Sequence, residues 1–107
     1  MKIDIPTLRI LAENDRIAFK KHSILRMNQR EISVDEVRDV FMQGEIIELY
    51  PEARPLPCCL MLGFGTEGNP LHVVVAVDDS ERMLWVITVY RPLKEEWDET
   101  YKRRKPS

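Results

Sequence analysis

"LHVVVAVDDSERMLWVITVY" (residues 71–90) contains two apolar runs of strand length, LHVVVAV (71–77) and MLWVITVY (83–90), joined by the acidic turn DDSER. Both runs are rich in β-branched and aromatic residues, and a short polar connection between two such runs is typical of a β-hairpin. The segment HVVVAV is almost entirely apolar, which indicates a central strand buried on both faces of its sheet. The stretch therefore predicts the centre of an antiparallel sheet.

Two further strands precede this hairpin. The segment EIIELY (45–50) has a period of two, and the apolar run CCLMLGFG (58–65) has the length of a strand. The loop PEARPLP separates them, and the turn TEGNP leads into residue 71, so every connection is hairpin-like. The sequence therefore predicts a four-stranded antiparallel meander. Cys58 and Cys59 are adjacent, lack CxxC spacing and lie in an apolar run, so we interpret them as small core or half-buried core residues.

Helical patterns occupy the first part of the chain. Pro6 is placed to begin a short first helix, and residues 20–30 form a second. Ser33 lies three residues before Glu36, a capping-box spacing that predicts the start of a third helix, with Gly44 as its C′ residue. The segment IAF (17–19) either continues the first helix, interrupts the helical pattern or forms a short strand. Helices followed by antiparallel strands predict an α+β fold in which the N-terminal helices pack on the sheet.

Length and composition indicate one domain. The chain has 107 residues, of which 44% are hydrophobic and 32% charged, enough for a single core. We place the domain at 1–107, with its core at about 18–97 and a basic tail at 98–107. The segment after Pro92 predicts a short C-terminal helix or tail that Trp97 and Tyr101 hold to the body. No apolar stretch approaches the roughly 20 residues of a membrane helix, and the start lacks a signal peptide's features, so we expect a cytoplasmic protein without membrane contact.

The second helix carries a stripe of basic side chains. His22, Arg26 and Arg30 recur at intervals of four, within an arc of about 80°, and Lys21 adds a further cation. Across the axis lie the apolar residues Ile24, Leu25 and Met27. Metal-free cleavage of RNA by its own 2′-hydroxyl needs proton carriers and cations for the phosphate, the tasks for which histidine and arginine are suited. The alternative is that the stripe is the solvated side of a surface helix.

Three residues of the predicted sheet are further candidates for a site. His72 begins a central strand, where it is either the acid–base partner of His22 or an imidazole at the edge of the core. Thr88 and Tyr90 share a predicted face with Leu84 and Val86. They are candidates for contacts to phosphate or a base, or else ordinary cross-strand contacts.

Several common sites are missing from the sequence. GFGTEGNP lacks the Lys-Ser/Thr of a phosphate-binding loop, and no HExxH or Cys/His cluster offers ligands to a metal. We therefore expect no cofactor and no metal, and either a metal-independent reaction or pure binding.

The runs KHSILRMNQREIS, GEIIELYP, PLHVVVAVD and ITVYRP, with a Trp beyond, resemble the prokaryotic family called domain of unknown function 4258 over about residues 18–97. The resemblance implies a toxin of a toxin–antitoxin module, with a RelE/barnase-like fold and metal-independent endoribonuclease activity. It also implies RNA as substrate and, as partner, an antitoxin with a zinc-finger half. The matching polar positions are His22, Arg26, Arg30, His72, Thr88 and Tyr90.

Two other functional readings remain open at this stage. The net charge of −2 is unusual for a ribonuclease toxin and favours a non-catalytic module whose basic helix face binds nucleic acid or an acidic protein. In that case His22 and His72 should share no cleft. A purely structural stripe predicts instead that Arg26 and Arg30 pair with acidic residues of the neighbouring helix.

Overall fold

The computed structural model describes residues 3–106 and, at Thr66, the backbone alone. In chain order the elements are helix α1 (Ile5–Glu13), strand β1 (Ile17–Phe19), helix α2 (Lys21–Gln29), helix α3 (Val34–Gln43), and strands β2 (Glu45–Tyr50), β3 (Cys58–Phe64), β4 (Pro70–Asp78) and β5 (Met83–Tyr90). A short 3₁₀ turn (Thr66–Gly68) lies between β3 and β4. The predicted α+β class is confirmed.

The sheet has five strands in the order β1-β5-β4-β3-β2. The predicted antiparallel meander is confirmed for β2 to β5. The prediction of a four-stranded, wholly antiparallel sheet is wrong, because β1 pairs in parallel with β5, with Ile17 opposite Leu84 and Phe19 opposite Val86. Three residues are too few to show a periodicity, so β1 can be recognised as a strand only from its pairing with β5.

Local capping signals fix the starts of two helices. The Asp4 side chain accepts a hydrogen bond from the Thr7 backbone N–H at 2.9 Å, and Pro6 occupies the first turn of α1. Ser33 and Glu36 form both hydrogen bonds of the predicted capping box at the start of α3. Both starts therefore follow from neighbouring residues.

Gly44 ends α3 for a reason other than the predicted one. Its φ of −85° is not left-handed, so it is not the αL residue of a C′ position. A Cβ there would instead lie 2.5 Å from the carbonyl oxygens of Leu62 and Val40. Only glycine lets the end of the helix approach β3 this closely.

The helices cover one side of the sheet, which we call the helix side. There Val73 and Val75 of β4 belong to one buried cluster with Leu8, Met27 and Phe41 of the three helices. Of the three residues predicted on the apolar face of α2, Ile24 and Met27 pack in this core. Leu25 does not, since it is 54% exposed.

The other side of the sheet, the tail side, carries a second buried set. Leu60, Leu62 and His72 have at most 2% exposure, although no helix covers them. Strand β4 is thus buried on both faces, as predicted.

The described part of the segment after β5 has no regular secondary structure and covers part of the tail side. Trp97 is 2% exposed and forms an isolated antiparallel bridge with Arg104. The Asp98 side chain accepts from the backbone N–H groups of Thr100 and Lys102, which turns the chain back on itself. The predicted C-terminal helix is therefore wrong and the alternative, a tail held by Trp97, is right.

Candidate functional site

An irregularity in β5 decides which of its side chains reach the tail side. The register with β4 shifts after Val86, which leaves Ile87 without a paired residue. Val86 and Val89 lie in the helix-side core, whereas Thr88 and Tyr90 face the tail side. The prediction that Thr88 and Tyr90 share a face with Val86 is wrong, because a β-bulge inserts one residue and reverses the alternation.

His72 lies next to Tyr90 on the tail side and is fully buried. Its Nδ1 lies 3.1 Å from the Tyr90 hydroxyl, and its Nε2 lies 2.8 Å from the Tyr101 carbonyl oxygen. A carbonyl only accepts, so Nε2 carries the proton, and Nδ1 of the neutral ring accepts from the Tyr90 hydroxyl. The phenolic oxygen of Tyr90 keeps lone pairs with which it can accept a further hydrogen bond.

Burial changes the acidity of both rings. Burial lowers the pKa of His72, and nearby Arg104 lowers it further, while the hydrogen bond to Tyr101 and the charge of Glu48 act the other way. Burial raises the pKa of Tyr90. At neutral pH the pair is therefore a neutral imidazole and a protonated phenol.

The tail segment shields this pair from water. The Trp97 ring meets the His72 ring edge-on, with centroids 4.4 Å apart. The Arg104 guanidinium lies 4.7 Å from the Trp97 ring centroid and 3.4 Å from the Glu48 carboxylate. In this arrangement His72 can act on a bound molecule only through Tyr90.

The basic stripe on α2 is exposed and pairs with no carboxylate in the part of the chain that the structure describes. His22, Arg26 and Lys21 are exposed and their side chains make no hydrogen bond or ion pair within residues 3–106. Arg30 donates from Nη1 to the Val89 carbonyl at 2.6 Å. The stripe therefore lacks the ion pairs with a neighbouring helix that a purely structural role predicts.

An open cleft lies where the end of α2 meets the end of β5. It has a volume of about 490 Å³ and is lined by Arg30, Tyr90, Arg91, Leu93 and Glu96. It brings together two basic groups, one phenol and one carboxylate. Tyr90 forms one wall of the cleft, and its hydroxyl connects the cleft to His72 through one hydrogen bond.

Arg91 is fixed at this cleft from the helix side. It donates to the Glu36 carboxylate at 2.8 Å, and Glu36 is only 8% exposed. A Cβ on Gly65 would collide with that carboxylate, so the glycine leaves room for the pair. The same Glu36 that caps α3 thus orients an arginine of the cleft.

The structure brings some of the predicted site residues together and leaves others apart. Arg30 and Tyr90 meet at the cleft, His72 lies behind Tyr90, and Arg26 lies one helical turn before Arg30. His22 lies eight residues before Arg30, about 12 Å along the helix axis, and does not line the cleft, as the non-catalytic module predicts. Thr88 is on the tail side, where its hydroxyl makes no hydrogen bond within the described chain.

Four residues of this region escaped the sequence reasoning as site residues. Arg91 and Glu96 line the cleft, and Trp97 and Tyr101 cover His72. The only signals for them were the position of Arg91 directly after Tyr90 and the spacing of four between Trp97 and Tyr101.

A model of the family described as Domain of unknown function (DUF4258) matches residues 19–91, more than half of the chain. The chain belongs to this family. The DUF4258 match takes in His22, Arg26, Arg30, His72 and Tyr90, and ends before the residues that cover His72. The chain matches no curated protein and no solved structure.

Two further features bear on what this DUF4258 member can bind. Among the described residues no cluster of three or more His, Cys, Asp or Glu side chains is arranged to hold a metal ion. No helix within residues 3–106 has the length and apolar character needed to cross a membrane.

Proposed function

We propose that this protein is a metal-independent endoribonuclease that acts as the toxin of a type II toxin–antitoxin module. The observation that carries the proposal is the α2 stripe, whose cations have no carboxylate partner among the described residues and which leads to the cleft of Tyr90. Unpaired cations beside a buried proton acceptor suit an anionic backbone that is cut by proton transfer.

The phosphate contacts come from α2. A phosphate bound at Arg26 lies one helical turn, about 6 Å along the axis, from both His22 and Arg30. Guanidinium groups bind phosphate oxygens in pairs and stay charged, so Arg26 and Arg30 stabilise the negative charge that develops on phosphorus.

The proton transfers use the two histidines at opposite ends of this phosphate. The Tyr90 oxygen takes the proton of the 2′-hydroxyl as its own proton passes to Nδ1 of His72. The 2′-oxygen then bonds to phosphorus, and the bond from phosphorus to the 5′-oxygen breaks. His22, whose ring nitrogens have no hydrogen-bond partner within residues 3–106, donates a proton to the leaving 5′-oxygen, and the product ends in a 2′,3′-cyclic phosphate.

A second candidate function is a non-catalytic module that binds RNA at the same cleft. It is favoured by the burial of His72, both of whose nitrogens are occupied, and by the Glu96 carboxylate in the cleft. In that case the stripe binds the backbone and no bond is broken.

Cleavage of a labelled single-stranded RNA in the presence of a metal chelator distinguishes the two. The ribonuclease proposal expects fragments with cyclic phosphate ends and no cleavage next to a 2′-deoxy substitution. Binding without fragments would refute catalysis and leave the binding module.

Variants assign the roles. We expect His22→Ala, Tyr90→Phe and Arg26→Ala each to slow cleavage by about 10²-fold or more, the usual size of an acid–base contribution. Arg82→Ala is the matched control, because Arg82 is an exposed arginine at the opposite end of β5. Unchanged cleavage in Arg26→Ala would remove the stripe from the mechanism.

The toxin role also implies a protein partner, the antitoxin. On the strength of the family resemblance, we propose a RelE/barnase-like fold, a cytoplasmic location and an antitoxin with a zinc-finger half. Expression of the wild type should arrest growth, while His22→Ala and Arg26→Ala should not. A neighbouring gene with paired CxxC motifs should restore growth when it is co-expressed, and equal toxicity of wild type and variants would refute the role.

A further inference from the structure

A second concave site lies on the tail side, separate from the cleft. It has a volume of about 200 Å³, and its lining includes Lys20, Arg54, Leu56, Cys58, Trp85 and Ile87. We call it the Trp85 pocket. Apart from its two cations and the Cys58 thiol, its lining side chains are apolar.

The charges of the Trp85 pocket are of one sign. Lys20 Nζ lies over the face of the Trp85 ring, 4.8 Å from its centroid. Arg54 is exposed, and its side chain has no hydrogen bond or ion pair within residues 3–106. None of the lining residues is acidic. An aromatic surface flanked by two cations fits a ligand with a flat ring and a neighbouring anion.

One carboxylate, that of Asp78, lies near the edge of the Trp85 pocket. Hydrogen bonds from Ser80 and from the Glu81 backbone N–H, with a weaker one from the Trp85 side chain, hold the pKa of Asp78 below its ordinary value. Asp78 is therefore near the Trp85 side chain but does not line the pocket.

The size of the pocket limits the ligand. Pockets for drug-sized molecules usually have volumes of about 300–1,000 Å³, so about 200 Å³ accommodates a single ring system. A nucleobase has that size and a flat π-face, and its phosphate would extend toward the cations. An apolar peptide side chain would fill the ring space but leave both cations without an anion.

The pocket and the cleft lie along the same strand. Trp85 and Ile87 line the pocket, and Tyr90 lines the cleft, about 10 Å along β5 from Ile87 and about 16 Å from Trp85. Lys20 directly precedes α2 and its basic stripe. A short single strand can therefore reach both sites while its backbone follows the stripe.

We propose that the Trp85 pocket binds one base of a single-stranded RNA, with the ring stacked on Trp85 in place of the Lys20 ammonium, which moves with Arg54 to the adjoining phosphate. The choice of RNA rests on the proposed function, since a base bound here would position the phosphate that is cut beside Tyr90.

The test measures binding of a fluorescently labelled, 2′-O-methylated single-stranded RNA, which cannot be cut through its 2′-oxygen. We expect Trp85→Ala to weaken binding by about 5-fold to 150-fold, the range for loss of one stacked base, and Trp85→Phe to retain most of the affinity. Arg54→Ala should weaken binding, and it should reduce the slope of log affinity against log salt concentration by about 1, the value for one phosphate contact. Arg82→Ala should do neither.

A chemical footprint gives a readout that does not depend on substitution. Cys58 lines the pocket, whereas Cys59 is fully buried on the helix side. Bound RNA should slow alkylation of Cys58 in the wild-type protein. Full alkylation at saturating RNA would overturn the proposal, and so would unchanged affinity of a folded Trp85→Ala protein.

The two proposals fail in different ways. Trp85-dependent binding with protection of Cys58 but no cleavage refutes the ribonuclease and retains the pocket. Cleavage with Trp85→Ala at wild-type affinity refutes the pocket and retains the ribonuclease. Protection of Cys58 by an apolar peptide but not by RNA would assign the pocket to protein binding and overturn the proposal.

Discussion

The buried imidazole of His72 should make folding stability depend on pH in a defined direction. Its pKa in the folded protein lies below the ordinary 6.5, mainly because of burial. Between these two pKa values the unfolded chain binds a proton that the folded chain does not. The free energy of unfolding therefore falls as the pH falls below about 6.5, and the loss stops below the folded pKa.

The steepest slope for one such group is about 1.4 kcal/mol per pH unit. For a domain near this size, 1 kcal/mol corresponds to roughly 4–8 °C in melting temperature. Asp78 and Asp98, whose pKa values are lowered from 3.8, lose their contribution only at more acidic pH. In the range from about pH 7.5 to about pH 5, His72 therefore contributes to the slope while these two aspartates do not.

Urea unfolding at several pH values in this range measures the slope. His72→Gln is the informative variant, because its amide can donate to Tyr101 and accept from Tyr90 but does not titrate. We expect a flatter pH dependence in His72→Gln and a wild-type slope in His22→Ala. Equal slopes in the wild type and His72→Gln would refute the assignment of a neutral, buried His72.

Three further predictions concern single sites. Gly65→Ala should destabilise the fold by about 1–3 kcal/mol, because the added methyl displaces the buried Glu36 from its ion pair, and a thermal melt equal to that of the wild type would contradict this. Leu60→Ala should cost about 2–5 kcal/mol in urea unfolding, since Leu60 is fully buried on the tail side, and a loss near zero would show that this side is not packed. Iodoacetamide should modify Cys58 before Cys59, because burial raises the pKa of Cys59 to about 12, and labelling of Cys59 first would contradict its burial.

Features set by neighbouring residues were predictable from the sequence. The capping box of Ser33 and Glu36, the first-turn position of Pro6 and the doubly buried β4 depend on spacing over a few residues, and each is present in the structure. The exposed side of α2, which carries the stripe of Arg26, follows from helical periodicity in the same way.

Features set by distant residues were not predictable. Strand β1 forms because Ile17 meets Leu84, and no local pattern indicates that pairing. The bulge at Ile87 is invisible in an apolar run such as MLWVITVY, yet it decides that Tyr90 faces the tail side. The contact of His72 with Tyr101 joins residues 29 positions apart, so the shielding of the histidine could not be inferred from either segment.

The limits of the family match and of the folded unit differ, and this has a practical consequence for experiments on relatives. The match ends at residue 91, but Trp97 and the Tyr101 carbonyl complete the surroundings of His72. A protein shortened to the matched segment, residues 19–91, would lose helix α1 with its buried Leu8 and would expose the imidazole of His72 to water. Expression boundaries drawn from the match alone would therefore yield an aggregation-prone fragment with a histidine of altered basicity, and inactivity of such a fragment would carry no information about the family's chemistry.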